Sequence, residues 1–314
     1  MKFLHSHLRA ITRVVAFGTI TGFFYLLWAS ITPLLLASEK ASYAWRNFNF
    51  RTWAKLTNIL VRMRVEPKGT PPQAPFFLVS NHLSYMDIVA FAAHLDCVFV
   101  AKSEVANWPI LGLLCRSMGT IFVDRNSRMD VLRVNRLIEQ ALSSGKGVLL
   151  FPEGTSTPGG EVWPFHSALL EPAVQQGCPV SFATVSYRTP VGQAPAHLSV
   201  CWWGEMSFLA HFYRLLQLKS AEATLVFGSY SIRADHRKVL ACKLWQAVSQ
   251  ELIPVVENNS AFADSTASER AQERTFHPHA KPARSPRGLL EEPCKTLTHS
   301  SNRTSAYSSK AWKS

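Results

Sequence analysis

The residues best suited to chemistry stand in the run Asn81-His82-Leu83-Ser84-Tyr85-Met86-Asp87. Histidine is the side chain best matched to accept a proton near neutral pH. An aspartate five positions on can bond the other ring nitrogen, fix the tautomer and steady the imidazolium that forms. The same letters admit a second reading: Ser84-x-x-Asp87 resembles a capping box, in which Asp87 satisfies a helix start. Both readings stand on the spacing alone.

Two further segments carry chemistry. Gly119-Thr120-Ile121-Phe122-Val123-Asp124-Arg125 is an apolar run that ends in arginine. A guanidinium there can grip a phosphate through two parallel hydrogen bonds, or it can simply pair with a surface acid. Phe151-Pro152-Glu153-Gly154-Thr155-Ser156 brings an acid, a glycine and two hydroxyls to the end of another apolar run. Gly154 frees the backbone so that N–H groups can face a ligand. Glu153 can accept hydrogen bonds from a hydroxyl or hold Arg125. Thr155, Ser156 and the nearby amides can bind phosphate or an oxyanion, or form a plain polar turn.

These segments must sit at the ends of strands. Residues 76–80, 97–101, 120–124, 147–151, 179–186 and 198–203 read as strands. Helical patterns fit 85–94, 108–118, 129–143, 165–176, 208–218 and 235–253. Alternation on this scale predicts an α/β domain whose sheet is mixed, largely buried and flanked by helices. It is expected to occupy residues 64–257.

In order and spacing, the three segments resemble the glycerolphosphate acyltransferase superfamily, in particular its lysophosphatidic acid (1-acyl-sn-glycerol-3-phosphate) acyltransferase branch. That family carries N-H-x-x-x-x-D, G-x-x-F-x-x-R and F-P-E-G-T/S, and the likeness covers roughly residues 60–230. The resemblance implies that His82 is the general base on the acceptor hydroxyl and that Asp87 orients it. Arg125 would bind the acceptor phosphate, and Glu153 and Gly154 would shape the site beside it. Lys102 resembles the family's basic residue between the first two motifs and is a secondary phosphate ligand. The donor would be acyl-CoA or acyl carrier protein as co-substrate. No cofactor, covalent intermediate or metal is implied, and the product would be phosphatidic acid. Two departures bear on the acceptor. Gly177-Cys178-Pro179-Val180-Ser181-Phe182 keeps one proline where the family's fourth motif has two, and His166 stands where many relatives carry Lys or Arg. A related branch acylates lyso-ornithine lipids.

The ends of the chain differ from its middle. Residues 14–38 hold no charged side chain. As a helix they would reach about 37 Å, against a hydrocarbon core of about 30 Å. Residues 43–63 place Trp45, Phe48, Trp53, Leu56, Ile59, Leu60 and Met63 on one arc and Arg51, Lys55 and Arg62 on another, which suits an interfacial helix. Residues 1–63 thus read as a membrane anchor, either spanning or half-inserted. A secretory signal or a transit peptide is the competing reading of its first part. Residues 258–314, rich in Ser, Thr, Arg, His and Pro, read as a disordered tail.

The net charge of +12 suits an anionic partner. With the anchor, anionic membrane lipids and a lysophospholipid acceptor are expected partners, and nucleic acid is not. The expected location is the membrane, at the cytoplasmic face of the inner (plasma) membrane if the source is bacterial. The six cysteines form no C-x-x-C pair and read as reduced thiols. G-x-S-x-G, Walker, H-E-x-x-H and Rossmann glycine patterns are all absent from the sequence.

Overall fold

The structure, a computed structural model, describes residues 2–108 and 111–256. The predicted tail lies outside the described residues. The strands are β1 (Met63–Lys68), β2 (Phe77–Ser80), β3 (Cys97–Lys102), β4 (Ile121–Val123), β5 (Gly147–Leu150), β6 (Val180–Arg188) and β7 (Ala221–Ile232). The helices are α1 (Lys2–Ile31), α2 (Glu39–Val61), α3 (Met86–Ala92), α4 (Leu111–Ser117), α5 (Arg128–Ser143), α6 (Glu171–Gln175), α7 (Ala196–Ser199), α8 (Phe208–Gln217) and α9 (Arg237–Glu251).

One sheet joins the strands in the order β1-β7-β6-β2-β5-β3-β4. Only the β6–β7 pairing is antiparallel among the described strands. The sheet is therefore mixed, as expected. Its central strands are buried on both faces, and alternate side chains feed two cores. Leu78 of β2 joins one core with α3, α8 and part of α2; Phe77 and Val79 join the other with α5, α6 and α9.

Because β2, β3, β4, β5 and β6 all run the same way, their carboxyl ends share one edge of the sheet. That edge is where open α/β sheets place ligands. The starts of β1 and β7 lie on the same edge, since those two strands run in reverse.

The two N-terminal helices depart from the predicted bounds. α1 begins at Lys2 rather than at residue 14, and it is docked along the domain. His7 Nδ1 lies 2.9 Å from the Tyr213 hydroxyl, and Arg13 donates to the Leu216 and Leu218 carbonyls at the end of α8. Further along, Trp53 Nε1 donates to Thr21 Oγ1 and Asn49 Nδ2 to the Phe24 carbonyl. The opposite stripe of α1 (Leu4, Leu8, Ile11, Val15, Leu26) is exposed and apolar. Residues Leu4–Leu35 form a helix long and apolar enough to cross a membrane. On α2, the buried arc is Asn49, Ala54, Thr57, Asn58 and Val61, not the aromatic one. Trp53 instead stacks on Phe50 and lies against Phe17 of α1.

Other expectations are corrected. Residues 198–203 are not a strand: α7 ends at Ser199, and the segment after it is loop. Residues 165–176 shrink to a short 3-10 turn and α6, which starts at Glu171-Pro172. Strands β1 and β7 were not expected. Cys97, Cys115, Cys178 and Cys201 are free thiols.

Candidate active site

β2 ends at Ser80, and Asn81 extends its pairing by side chain. Asn81 Nδ2 donates to the Val185 carbonyl, and the Val185 N–H donates to Asn81 Oδ1 at 2.8 Å. The next residue, His82, is thereby fixed at the mouth of the sheet. Its ring lies flat on Phe151, 4.3 Å between centroids. His82 Nδ1 is 2.7 Å from Asp87 Oδ2. A carboxylate can only accept, so Nδ1 carries a proton, and in the neutral imidazole the lone pair is on Nε2. The histidine side chain is 22% exposed and Asp87 is fully buried.

Asp87 does both jobs that its spacing allowed. Oδ2 also accepts from the N–H groups of Leu83 and Ser84, at 2.7 and 3.0 Å. Oδ1 accepts from the Tyr187 hydroxyl at 2.6 Å. Capping the turn before α3 and backing the histidine are thus one structure. Burial and the adjacent Asp87 hold the Tyr187 phenol well above its ordinary pKa, so it remains a donor.

Glu153 is buried at the end of β5. Oε1 accepts from the His82 N–H at 2.7 Å and Oε2 from the Trp163 N–H at 2.9 Å. It holds the histidine's backbone rather than Arg125, which corrects one of its two expected roles. Burial raises its pKa to about 8, against the pull of the two N–H groups.

Arg125 follows β4, and its guanidinium donates to the Gly154 carbonyl. Gly154 has φ +81°, and a Cβ there would stand 2.8 Å from Arg125 Nη1 and 3.1 Å from His166 Cδ2. Glycine therefore suits the left-handed backbone and leaves room for the guanidinium as it lies, which an added Cβ would displace. Arg125 and His166 are both exposed, but the protein packed around them displaces part of their water. That desolvation lowers the Arg125 pKa, which Glu104 opposes, and together with Arg125 it holds His166 below the usual imidazole range.

The remaining predicted residues sit further out. Lys102, at the end of β3, is half-exposed and pairs with Glu104 at 2.8 Å. Thr155 is exposed. Its neighbours are the structural hydroxyls: Ser156 Oγ donates to the Trp202 carbonyl, and Thr157 donates to the His82 carbonyl from its N–H at 2.9 Å and its hydroxyl at 3.3 Å. Trp202 N–H in turn donates to the Leu83 carbonyl at 2.8 Å. The loop 200–206 therefore clamps the histidine segment and brings Trp202 into an aromatic group with Tyr85, Trp108 and Phe208. Tyr187 and Trp163 were not singled out from sequence. Tyr187 is the penultimate residue of β6, one past the predicted strand, and that strand end was the available signal.

A carboxylate-backed histidine thus stands at the carboxyl edge of an α/β sheet, beside a guanidinium held on a glycine turn, an arrangement with the parts for proton transfer. Comparison with known proteins supplies the class. The family model "Acyltransferase" matches residues 62–187. A lyso-ornithine lipid O-acyltransferase of Brucella abortus is 30% identical over 68% of this chain and 84% of its own length. One of Rhodobacter capsulatus is 34% identical over 54% of this chain; the match spans 62% of that relative's length, under two thirds. A 1-acyl-sn-glycerol-3-phosphate acyltransferase of Neisseria gonorrhoeae is 28% identical over 62% of this chain and 76% of its own length. The crystal structure of the acyltransferase PlsC from Thermotoga maritima shares the fold, with TM-score 0.56 and 18% identity over 80% of this chain and 97% of that one. The chain belongs to the acyltransferase family.

Proposed function

We propose that this protein is an O-acyltransferase that moves a fatty acyl group from a thioester, acyl-CoA or acyl carrier protein, to the free hydroxyl of a lysolipid at a membrane. The observation that carries this reading is the His82–Asp87 pair, 2.7 Å apart, with the carboxylate buried and the imidazole partly exposed. Nε2 takes the proton of the acceptor hydroxyl as its oxygen attacks the thioester carbon. The C–S bond then breaks, and the imidazolium returns the proton to the leaving thiolate. Asp87 stabilises the imidazolium between the two steps. The base needs no help from a metal in this scheme. The apolar stripe of α1 supports work at a bilayer surface.

Two acceptors deserve naming, each on its own observation. Arg125 on the Gly154 turn supports lysophosphatidic acid, whose phosphate it would grip. The Lys102–Glu104 pair beside Arg125 makes the outer site mixed in sign. A zwitterionic ornithine headgroup, with a carboxylate and an ammonium, suits mixed charge better than a phosphate does. The Brucella abortus and Rhodobacter capsulatus relatives bear that acceptor in their names. We therefore place lyso-ornithine lipid first and lysophosphatidic acid second.

The test is acyl transfer by purified full-length protein with both donors and both acceptors, with His82→Ala as control. His82-dependent turnover on lyso-ornithine lipid supports the first acceptor; turnover on lysophosphatidic acid alone reverses the order. No turnover with any pairing, or turnover that survives His82→Ala, overturns the reading. Glu104→Gln should shift the ratio of rates toward the phosphorylated acceptor.

A further inference from the structure

On the sheet edge that carries His82, but at its far end, an open concavity of about 500 Å³ is lined by Asn58, Ile59, Arg62, Met63, Arg64, Lys219 and Ser220. Three of these side chains are cationic and none is acidic. No ion pair involves Arg62, Arg64 or Lys219 among the described residues. Arg9 and Arg13 lie behind it and are occupied by the carbonyls at the end of α8.

One feature marks the concavity as more than a charged surface. Arg62 ends α2 with φ +56°, in the left-handed region. A helix end of that geometry ordinarily takes glycine, and a long side chain there is disfavoured by the backbone. Its presence keeps a guanidinium in the concavity at a conformational cost.

The surroundings identify the ligand's class. Phe48 and Ile59, about three turns apart on α2, face outward and are apolar, and Ile59 forms the rim. The exposed stripe of α1 is apolar as well. Alkyl chains would lie along that rim while a phosphate meets the cations. We propose that this concavity binds the phosphate of an anionic phospholipid headgroup, as in phosphatidylglycerol. β1 lies three strand spacings, about 14 Å, from β2. A headgroup held there sets the His82 edge of the sheet at the level of the lipid surface. The proposal goes beyond the acyl-transfer reading and is read by binding, so that the two fail separately.

The experiment is sedimentation of full-length protein with phosphatidylcholine vesicles, with and without phosphatidylglycerol. The double variant Arg62→Gly, Lys219→Ala removes two cations, and glycine suits the backbone at 62. Its affinity for the phosphatidylglycerol vesicles should fall about 30-fold, at about tenfold or less for each cation. Affinity for phosphatidylcholine alone should not change. Lys219→Ala by itself should give a smaller loss of the same kind. Arg128→Ala, Arg136→Ala removes the same charge from exposed positions on α5 and should lose much less. Equal losses for the two double variants would mean that general attraction does the binding, and would overturn the site. So would equal loss on both vesicle types. Release of the protein from the vesicles by soluble glycerol 3-phosphate would assign the concavity to a free phosphate ester and overturn the lipid. Retention in its presence supports the lipid.

Discussion

Asp87 Oδ2 accepts from His82 Nδ1 at 2.7 Å and, on the same oxygen, from the N–H groups of Leu83 and Ser84. The carboxylate that orients the imidazole is itself oriented by the first turn of the segment that carries it. Little of that arrangement depends on the imidazole. His82→Ala should therefore leave the fold intact, with an unchanged circular dichroism spectrum. The rate should fall about 10²–10⁴-fold, equivalent to about 3–5 kcal/mol in the barrier. A loss of less than tenfold would remove His82 from the role of base.

Tyr187 separates support of the dyad from the dyad itself. Tyr187→Phe keeps the ring and removes the hydrogen bond that Asp87 Oδ1 accepts from the phenol. A buried carboxylate oxygen left unpaired should destabilise the protein by about 1–3 kcal/mol, measured by urea unfolding. The rate at saturating substrate should fall far less than in His82→Ala, because the Nδ1 bond remains. If Tyr187→Phe matched His82→Ala in rate, the phenol would be acting on the reaction rather than on Asp87.

The site was legible in the sequence where its parts are local. His82 and Asp87 are five residues apart on one turn; spacing offered the pair beside a capping box, and the motif order favoured the pair. Arg125, Glu153 and Gly154 were each marked by the end of a strand. Tyr187 was not visible, because its contact with Asp87 spans 100 residues and nothing local announces it. The fold was legible in the same measure: the buried parallel strands read as apolar runs. β7 was missed, although Ala221, Ala223, Leu225 and Phe227 are buried between more exposed neighbours. The run 198–203 was misread because its buried residues serve a loop that docks on Leu83, not a sheet. The end of α2 was placed too late because Arg62 occupies a position where glycine would have signalled the stop.

Glu153 makes stability depend on pH. Burial raises its folded-state pKa from the ordinary value of 4.5 to about 8. The folded state then holds a proton that the unfolded chain releases. The contribution is fully present below about pH 4.5 and is lost progressively as pH rises to about 8. Above that it is gone. The midpoint of urea unfolding, followed across this range, should fall in wild type. In Glu153→Gln that slope should flatten. The variant should also be less stable at pH 5, because its amide sets an N–H donor against the N–H of His82 or Trp163. An equal slope in both proteins would assign the pH dependence to another group.

Gly154 tests whether the approach of Arg125 matters for the acceptor. In Gly154→Ala the added Cβ meets Arg125 Nη1 at 2.8 Å on a backbone with φ +81°. The left-handed backbone alone should cost about 1–2 kcal/mol of stability. The guanidinium must also shift, so KM for the acceptor should rise more than kcat falls. Arg125→Lys keeps the charge but loses the planar fork, and its KM should move in the same direction without the loss of stability. Should Gly154→Ala lose stability with KM unchanged while Arg125→Lys raises KM, the arginine binds the acceptor from a position that the glycine does not set.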